Sequence, residues 1–103
     1  MAYAEVLTAL ADPRRRAILE ALRERPQTVG ELAAKQPVSR PAVSQHLKVL
    51  QAAQLTTSRA EGTRRIYAVN RDGFEHLRAY LDGFWSDVLS AFGAEIERRF
   101  GEE

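Results

Sequence analysis

Two short amphipathic segments joined by a tight connection constrain the fold of this chain more than any other feature. The second segment, residues 39–50, places Val43, Leu47 and Leu50 at positions i, i+4 and i+7, which is the spacing of one apolar helix face. Ser39 is a good N-cap residue, and Pro41 suits a first turn because its missing N–H would have no intrahelical partner there. The pattern therefore predicts a short helix with one buried side.

The preceding segment, residues 28–35, has the signature of another short helix. Thr28 and Glu31 have the spacing of a capping box, in which each side chain accepts a hydrogen bond from the other residue's backbone. A turn at residues 36–38 joins this helix to the next one. Two short helices joined by a tight turn form a helix-turn-helix, which we predict over residues 28–53.

The outward side of the second helix carries side chains that can recognise DNA. Its polar positions are Arg40, Ser44, Gln45 and Lys48. Such donors and acceptors reach the base edges and phosphates of the major groove, which admits an α-helix. Most surface helices also have a polar outer face, so the interpretation depends on the neighbouring segments. We interpret this segment as a recognition helix.

A β-hairpin is predicted directly after that helix, as a wing over residues 55–69. The runs 55–59 and 65–69 are rich in Thr, Ile, Tyr and Val, and Gly62 lies in the turn expected at residues 60–63. Its basic residues are Arg59, Arg64 and Arg65. An ordinary solvated hairpin would also carry arginines, but the position after a recognition helix favours a wing that contacts the DNA backbone or minor groove.

Charge is distributed unevenly along the 103 residues, although the formal net charge is only +1. Residues 39–71 contain six Lys or Arg and one Glu, a net charge of +5, and the rest of the chain carries −4. One basic face on an otherwise acidic domain suits a protein that meets phosphate on one side. A winged helix used only for protein–protein contacts is an alternative, but it has little need of such a concentration of positive charge.

Composition and motifs exclude several classes of protein. The chain has no cysteine, which excludes disulfides and thiolate metal sites. No catalytic constellation, phosphate-binding glycine loop, membrane-length apolar run or signal-peptide core is present, so we expect a cytoplasmic protein that is not an enzyme, has no cofactor and does not contact a membrane. The length suits a single domain, residues 1–103.

Two helices are predicted near the N-terminus. A short helix is expected at residues 3–11, and Asp12 then caps a second helix that has Pro13 at its first position and ends near residue 25. The arginine triplet at residues 14–16 points in three directions on a helix, so we expect it to be divided among solvent, ion pairs and at most one phosphate. The apolar positions of the first helix are Val6, Leu7 and Leu10.

The C-terminal segment, residues 72–100, is predicted as one long helix or two end-to-end, with a broad aromatic stripe. A small domain has few places to bury such a stripe, so we expect it to pair with residues 1–11 and with a second copy of itself. The fold predicted is mainly α with a small β-hairpin, in the order α-α-α-α-β-β-α. The expected interface residues are Val6, Leu7, Leu10, Leu81, Phe84, Trp85, Val88, Leu89 and Phe92.

Three motifs in this order resemble the ArsR family of winged-helix repressors: LADPRRRAIL at 10–19, SQHLKVL at 44–50 and GTRRIY at 62–67. The resemblance implies a homodimeric bacterial or archaeal repressor that leaves a double-stranded DNA operator when an effector arrives. It implies that Ser44 and Gln45 read bases, and that Ser39 and Arg40 contact phosphate or base. His46 would contact phosphate or pack on the preceding helix. The implied contacts of helix and wing together are Ser39, Arg40, Ser44, Gln45, His46, Lys48, Arg59, Thr63, Arg64 and Arg65.

The departures from the family pattern concern the residues that would bind a metal or another effector. Residues 28–32 lack the cysteines of metal-sensing members, and no histidine follows His76, so no metal site is expected. His76 together with Asp72 could provide half of a metal site across a dimer, but we prefer a capping or surface role for His76. Gln54 replaces a usual glycine, which predicts a different turn. Residues 84–89 resemble the metal-free subgroup, some of whose members have no known ligand and repress their own operon, so the resemblance implies an autorepressor without a metal site. The effector is unknown, and a small organic molecule at the dimer interface around Trp85 is an alternative.

Overall fold

The computed structural model of the protein describes residues 2–101, which form five helices and one antiparallel hairpin in the predicted order. The elements are α1 (Ala2–Leu10), α2 (Pro13–Glu24), α3 (Val29–Lys35), α4 (Arg40–Ala52), β1 (Thr56–Glu61), β2 (Arg64–Val69) and α5 (Arg71–Phe100). The helices α3 and α4 are the helix-turn-helix pair, and the hairpin follows α4 directly. This is the winged helix-turn-helix architecture, and the predicted fold class is confirmed.

The helix starts follow from local hydrogen bonding, as the sequence predicted. Asp12, Thr28 and Ser39 are the N-caps of α2, α3 and α4. At α3 the capping box is complete, because the N–H of Glu31 donates to Oγ1 of Thr28 at 3.1 Å and the N–H of Thr28 donates to Oε1 of Glu31 at 2.9 Å. Oγ of Ser39 accepts a bond from the N–H of Ala42 at 3.3 Å. These bonds satisfy N–H groups that a helix leaves without partners.

The hydrophobic core lies where α1, α2, α3 and α4 meet the start of β1. The predicted apolar face of α4 is buried in it. Val6, one of the predicted interface residues, also lies inside this core, because α1 turns its side chain inward and leaves it no exposed surface in the single chain. The buried cluster comprises Val6, Ala9, Ile18, Leu19, Leu22, Leu32, Val43, Leu47, Leu50, Ala53 and Leu55.

The hairpin has a tighter turn than the four residues predicted. Glu61 pairs with Arg64 across the strands, so only Gly62 and Thr63 form the turn. Gly62 has φ of +65°, and a positive φ at the first but not the second turn residue is the pattern of a type II′ turn, whose twist matches that of the flanking strands. The strands therefore extend further towards the tip than the composition suggested.

The end of α4 uses a left-handed residue that is not glycine. Gln54 has φ of +63°, its N–H donates to the carbonyl of Gln51 at 3.0 Å, and the N–H of Leu55 donates to the carbonyl of Leu50 at 2.9 Å. These two bonds form a Schellman motif, in which the residue after the C-cap is usually glycine. Gln54 thus adopts a conformation that glycine favours, and the two bonds and the burial of Leu55 hold it there.

The arginine triplet has a structural role that sequence reasoning missed. Nε of Arg15 donates to the carbonyl of Ala9 at 2.7 Å, and Nη1 of Arg16 donates to the carbonyl of Leu10 at 2.8 Å. Arg15 also lies 3.7 Å from the carboxylate of Asp12. Two guanidinium groups of α2 thus cap the C-terminal carbonyls of α1, where positive charge is favourable.

The helix α5 is one continuous helix of 30 residues, and it extends beyond the core. Its first turns pack near the core through Phe74 and Leu77, and Tyr80 stacks on Tyr3 of α1 with ring centroids 4.0 Å apart. Over residues 78–101 almost every residue is exposed. The radius of gyration is 19.3 Å, compared with roughly 13 Å for a compact chain of this length. The excess comes from the projecting half of α5.

Candidate nucleic-acid interface

The helix α4 has one buried face and one exposed face. Val43, Leu47 and Leu50 are buried, which fixes how the helix rotates about its axis. The side chains of Ser44 and Gln45 are exposed on the other side. Arg40 and Lys48 are also exposed, whereas His46 is half-buried. The predicted base-reading side chains thus share the solvent face of a helix that the core holds in place.

A basic cleft lies between the beginning of α3, the beginning of α4 and the wing. The guanidinium of Arg40 lies against Gly30 so closely that a Cβ at residue 30 would be 3.0 Å from Nη2 of Arg40. Sequence reasoning missed the contribution of Gly30, because its small size matters only through this contact between two helices. The cleft has a volume of about 390 Å³ and is lined by Thr28, Val29, Gly30, Arg40, Thr63, Arg64, Arg65 and Tyr67.

The wing arginines make weak contacts within the hairpin. Glu61 lies 3.5 Å from Nη2 of Arg59 and 3.8 Å from Nη2 of Arg64. Nη1 of Arg65 donates to Oγ of Ser58 at 3.1 Å. Exposed ion pairs of this kind contribute little to stability. The three guanidinium groups can therefore exchange these partners for phosphate at small energetic cost.

The base of the wing is fixed to α2 through Gln27, another residue that sequence reasoning missed. The backbones of Gln27 and Tyr67 exchange two hydrogen bonds, of 2.9 and 2.8 Å, which adds a short bridge beside β2. The side chain of Gln27 is 1% exposed, and its Nε2 donates to the carbonyl of Ala21 at 2.8 Å. A buried polar side chain with a backbone partner resists movement. The orientation of the wing relative to the helices is thereby restricted.

The carboxylates beside this surface are held in their ionised form. The N–H of Thr28 lowers the pKa of Glu31 below its ordinary value, and the hydroxyl of Thr28 and the charge of Arg25 lower it further. The N–H of Arg14 lowers the pKa of Asp12, and the backbone and charge of Arg15 lower it further. Hydrogen bonds that favour the charged form have this effect on a carboxyl group. Both carboxylates thus accept hydrogen bonds from backbone N–H groups at the beginning of a helix.

A second surface is formed by the exposed apolar side of α5 together with Leu7 of α1. Trp85 and Phe92 have 58% and 61% of their surfaces exposed. Leu10 is half-buried and packs against the core. The predicted interface residues that lie exposed are Leu7, Leu81, Phe84, Trp85, Val88, Leu89 and Phe92.

Comparison with known proteins assigns this arrangement to a family. Residues 12–57, which span α2, α3, α4 and the first strand residues, match the family described as "Bacterial regulatory protein, arsR family". The chain is also 53% identical over 89 residues to the HTH-type transcriptional regulator Rv2034 of Mycobacterium tuberculosis, and the match covers 86% of this chain and 83% of that one. The chain belongs to the ArsR family. It is a DNA-binding transcriptional regulator.

Other relatives resemble this chain in sequence or in structure. The HTH-type transcriptional repressor SmtB of Mycobacterium tuberculosis is 41% identical over 76 residues, which cover 74% of this chain but only 56% of that repressor. The structure of an ArsR-like transcriptional regulator from Rhodococcus sp. RHA1 superposes with a TM-score of 0.84 at 29% identity, covering 93% of this chain and 91% of that one. The ArsR-like fold thus extends over almost the whole chain.

The positions considered for a metal show other contacts in this ArsR protein. Within residues 2–101, no three His, Asp or Glu side chains come close enough to hold a metal ion. Nε2 of His76 lies 3.1 Å from Oε1 of Gln54, which links α5 to the end of α4. Asp72 belongs to the first turn of α5, where its N–H donates to Asn70 at 3.0 Å. Over the same described range, no helix has the length and apolar character to cross a membrane.

Proposed function

We propose that this ArsR family protein is a homodimeric repressor that binds a pseudopalindromic DNA operator and has no metal sensor site. The observation that carries the proposal is the position of α4 beside the wing. The core fixes the apolar side of this helix, while Arg40 at its beginning lines one basic cleft together with Arg64 and Arg65 of the wing. A regulator that acts on the chromosome works in the cytoplasm.

The proposed contacts divide into two groups. Arg40, Ser44 and Gln45 would read base edges, because bidentate contacts from such side chains distinguish base pairs in the major groove. The remaining residues would contact the sugar–phosphate backbone, which supplies affinity and its salt dependence. This second group comprises Ser39, His46, Lys48, Arg59, Thr63, Arg64 and Arg65.

The proposed dimer follows from the exposed side of α5. An apolar stripe of this length is unusual on the surface of a monomer and marks an interaction site. A second copy packed about a twofold axis would cover it and would place two α4 helices roughly 34 Å apart, one turn of DNA, which matches two half-sites of an operator. Residues 1–11 and 72–100 would then serve dimerisation, residues 28–53 and 55–69 DNA binding, all within a single domain 1–103.

Repression would result from a bound dimer that excludes RNA polymerase from the promoter. The relative SmtB of Mycobacterium tuberculosis is named as a transcriptional repressor, which supports this direction of control. The absence of cysteine and the presence of only two histidines support independence from metal, because zinc and nickel sites need thiolate or imidazole ligands.

The experiment that tests the proposal is DNA binding measured by fluorescence anisotropy. The full chain is titrated onto DNA from immediately upstream of its own gene and onto scrambled DNA of equal length, across a series of salt concentrations. We expect tighter binding to the upstream DNA, a steep salt dependence, and no effect of zinc or nickel. Equal weak binding to both DNAs would contradict autoregulation, and tight metal binding that weakens the complex would contradict the metal-free mechanism.

A further inference from the structure

A cleft separate from the DNA surface opens between the end of α1, the helix α2, the last residue of β2 and the first turn of α5. Its volume is about 400 Å³, which lies within the range of roughly 300–1,000 Å³ typical of small-molecule sites. It contains no residue of the proposed DNA contacts and none of the aromatic side chains near Trp85, and Leu10 is the one predicted interface residue that lines it. The lining residues are Leu10, Arg16, Leu19, Glu20, Arg23, Val69 and Phe74.

The floor of the cleft is apolar and joins three elements. Leu10 and Phe74 are half-buried and pack against the core, while Val69 keeps 39% of its surface exposed. Leu19 is buried and lines the cleft where it adjoins the core. An apolar group of a ligand would replace water over these side chains, which is favourable in proportion to the apolar area covered.

The rim of the cleft carries two arginines and one glutamate from α2. Nη1 of Arg16 donates to the carbonyls of Leu10 and Ala11, at 2.8 and 3.2 Å, which holds the guanidinium in place. Its Nη2 makes no hydrogen bond to any other residue in the described part of the chain. Within residues 2–101, neither Arg23 nor Glu20 forms an ion pair or a side-chain hydrogen bond. The rim is therefore net positive, with donors above an apolar floor.

We propose that this cleft binds a small carboxylate with an apolar body. The apolar part would cover the floor, and the carboxylate would accept hydrogen bonds from Nη2 of Arg16 and from Arg23. Arginine suits this role because its planar group of donors matches the two oxygens of a carboxylate. A cation would be repelled by the two guanidinium groups, and an uncharged ligand would gain no attraction from their charge.

The position of the cleft gives such a ligand a route to the recognition helix. Val69 and Phe74 lie on either side of the connection from β2 to α5, where the N–H of Gly73 donates to the carbonyl of Gln54 at 2.8 Å. A ligand that moves Phe74 would therefore act on the end of α4. This consequence for DNA affinity rests on the proposed function, whereas binding of the ligand does not.

The experiment is calorimetric titration of the full chain with octanoate in the absence of DNA. 1-Octanol and octyltrimethylammonium serve as the uncharged and cationic probes of equal chain length. We expect octanoate to bind once per chain and more tightly than either probe, with backbone amide NMR shifts concentrated at Leu10, Val69 and Phe74. Lack of saturable binding, shifts elsewhere, or stronger binding of the cation would overturn the proposal without affecting that of DNA binding.

Three substitutions on α2 make the test specific. Arg23→Met keeps most of the apolar stem and removes the charge, so it should weaken octanoate binding about tenfold, as expected for one charge-assisted hydrogen bond, and leave octanol binding unchanged. Glu20→Gln removes a repulsive carboxylate and should strengthen octanoate binding. Arg14→Met, on the same helix but outside the cleft, is the control and should match the wild type. Wild-type octanoate affinity in Arg23→Met would overturn the assignment of the rim.

Discussion

Single side chains determine where the recognition unit begins, and Thr28 is the clearest case. Its hydroxyl and the carboxylate of Glu31 satisfy two N–H groups at the start of α3, a helix of only seven residues. We expect Thr28→Ala to lower the free energy of unfolding by about 1 kcal/mol, the usual effect of losing an N-cap. Urea unfolding at fixed protein concentration measures it. Ser44→Ala removes a hydroxyl from an exposed helix interior and should change stability by less than about 0.5 kcal/mol.

The lowered pKa of Glu31 predicts how stability depends on acidity. Because its carboxylate is favoured in the folded state, its contribution is complete above the ordinary value of 4.5 and is lost as the pH falls through the lower folded-state pKa. Glu31→Gln retains a capping acceptor but cannot titrate. Thermal melts should therefore show a steeper loss of melting temperature below pH 4.5 in the wild type than in the variant. Parallel curves would contradict this origin.

The proposed division between base and phosphate contacts predicts two different phenotypes. Gln45→Ala should reduce discrimination among operator bases by roughly 1–3 kcal/mol at one position. Arg65→Ala should weaken binding to all sequences about equally and reduce the slope of log affinity against log salt by about 1. Anisotropy titrations with a panel of operator variants separate these effects. A uniform loss in both variants would show that the division is wrong.

At the level of elements, the helices could be predicted from sequence because their signals are local. Asp12 and Ser39 mark helix starts, and the apolar spacing of α4 identifies its buried side. The tight turn at Gly62 and the left-handed Gln54 could not be predicted in the same way, because strand pairing and the packing of Leu55 decide them. The basic cleft beside Gly30 was missed for a similar reason, since it exists only where α3, α4 and the wing come together.

The contact between α4 and α5 gives a prediction for Gly73. A Cβ at this residue would be 2.6 Å from the carbonyl oxygens of both Ala53 and Gln54, and backbone atoms cannot move aside as a flexible side chain would. We expect Gly73→Ala to destabilise the protein by about 2 kcal/mol, within the range for overpacking, as measured by urea unfolding.

Gly83→Ala is the matched control for this contact, because a Cβ at residue 83 would meet no atom of residues 2–101 within 4 Å. Alanine also favours a helix over glycine by up to about 1 kcal/mol. The control should therefore keep or raise the midpoint of unfolding. Equal behaviour of the two alanine variants would show that the close approach at Gly73 has no energetic importance.

For the molecule as a whole, the proposed dimer predicts the effect of a charge on α5. Phe92 is 61% exposed in the single chain and would be covered by the partner. Phe92→Asp should shift the protein to monomer in sedimentation equilibrium, because a carboxylate buried without a partner is costly. Ser90→Asp places the same charge on the opposite side of the helix and should leave the dimer intact. Equal behaviour of the two variants would contradict this interface.

The helix α5 connects the end of the DNA-reading helix α4 to the surface proposed for the partner chain. Its first turn is hydrogen-bonded to the end of α4 through Gly73, and its projecting half carries the surface proposed for the partner chain. In such a dimer, the distance between the two DNA-reading helices depends on how the two long helices cross. The helix would then act as a ruler for the operator. A DNA site with the right bases but with its half-sites moved apart by one base pair would be rejected by the geometry of α5, without any residue that reads the added pair.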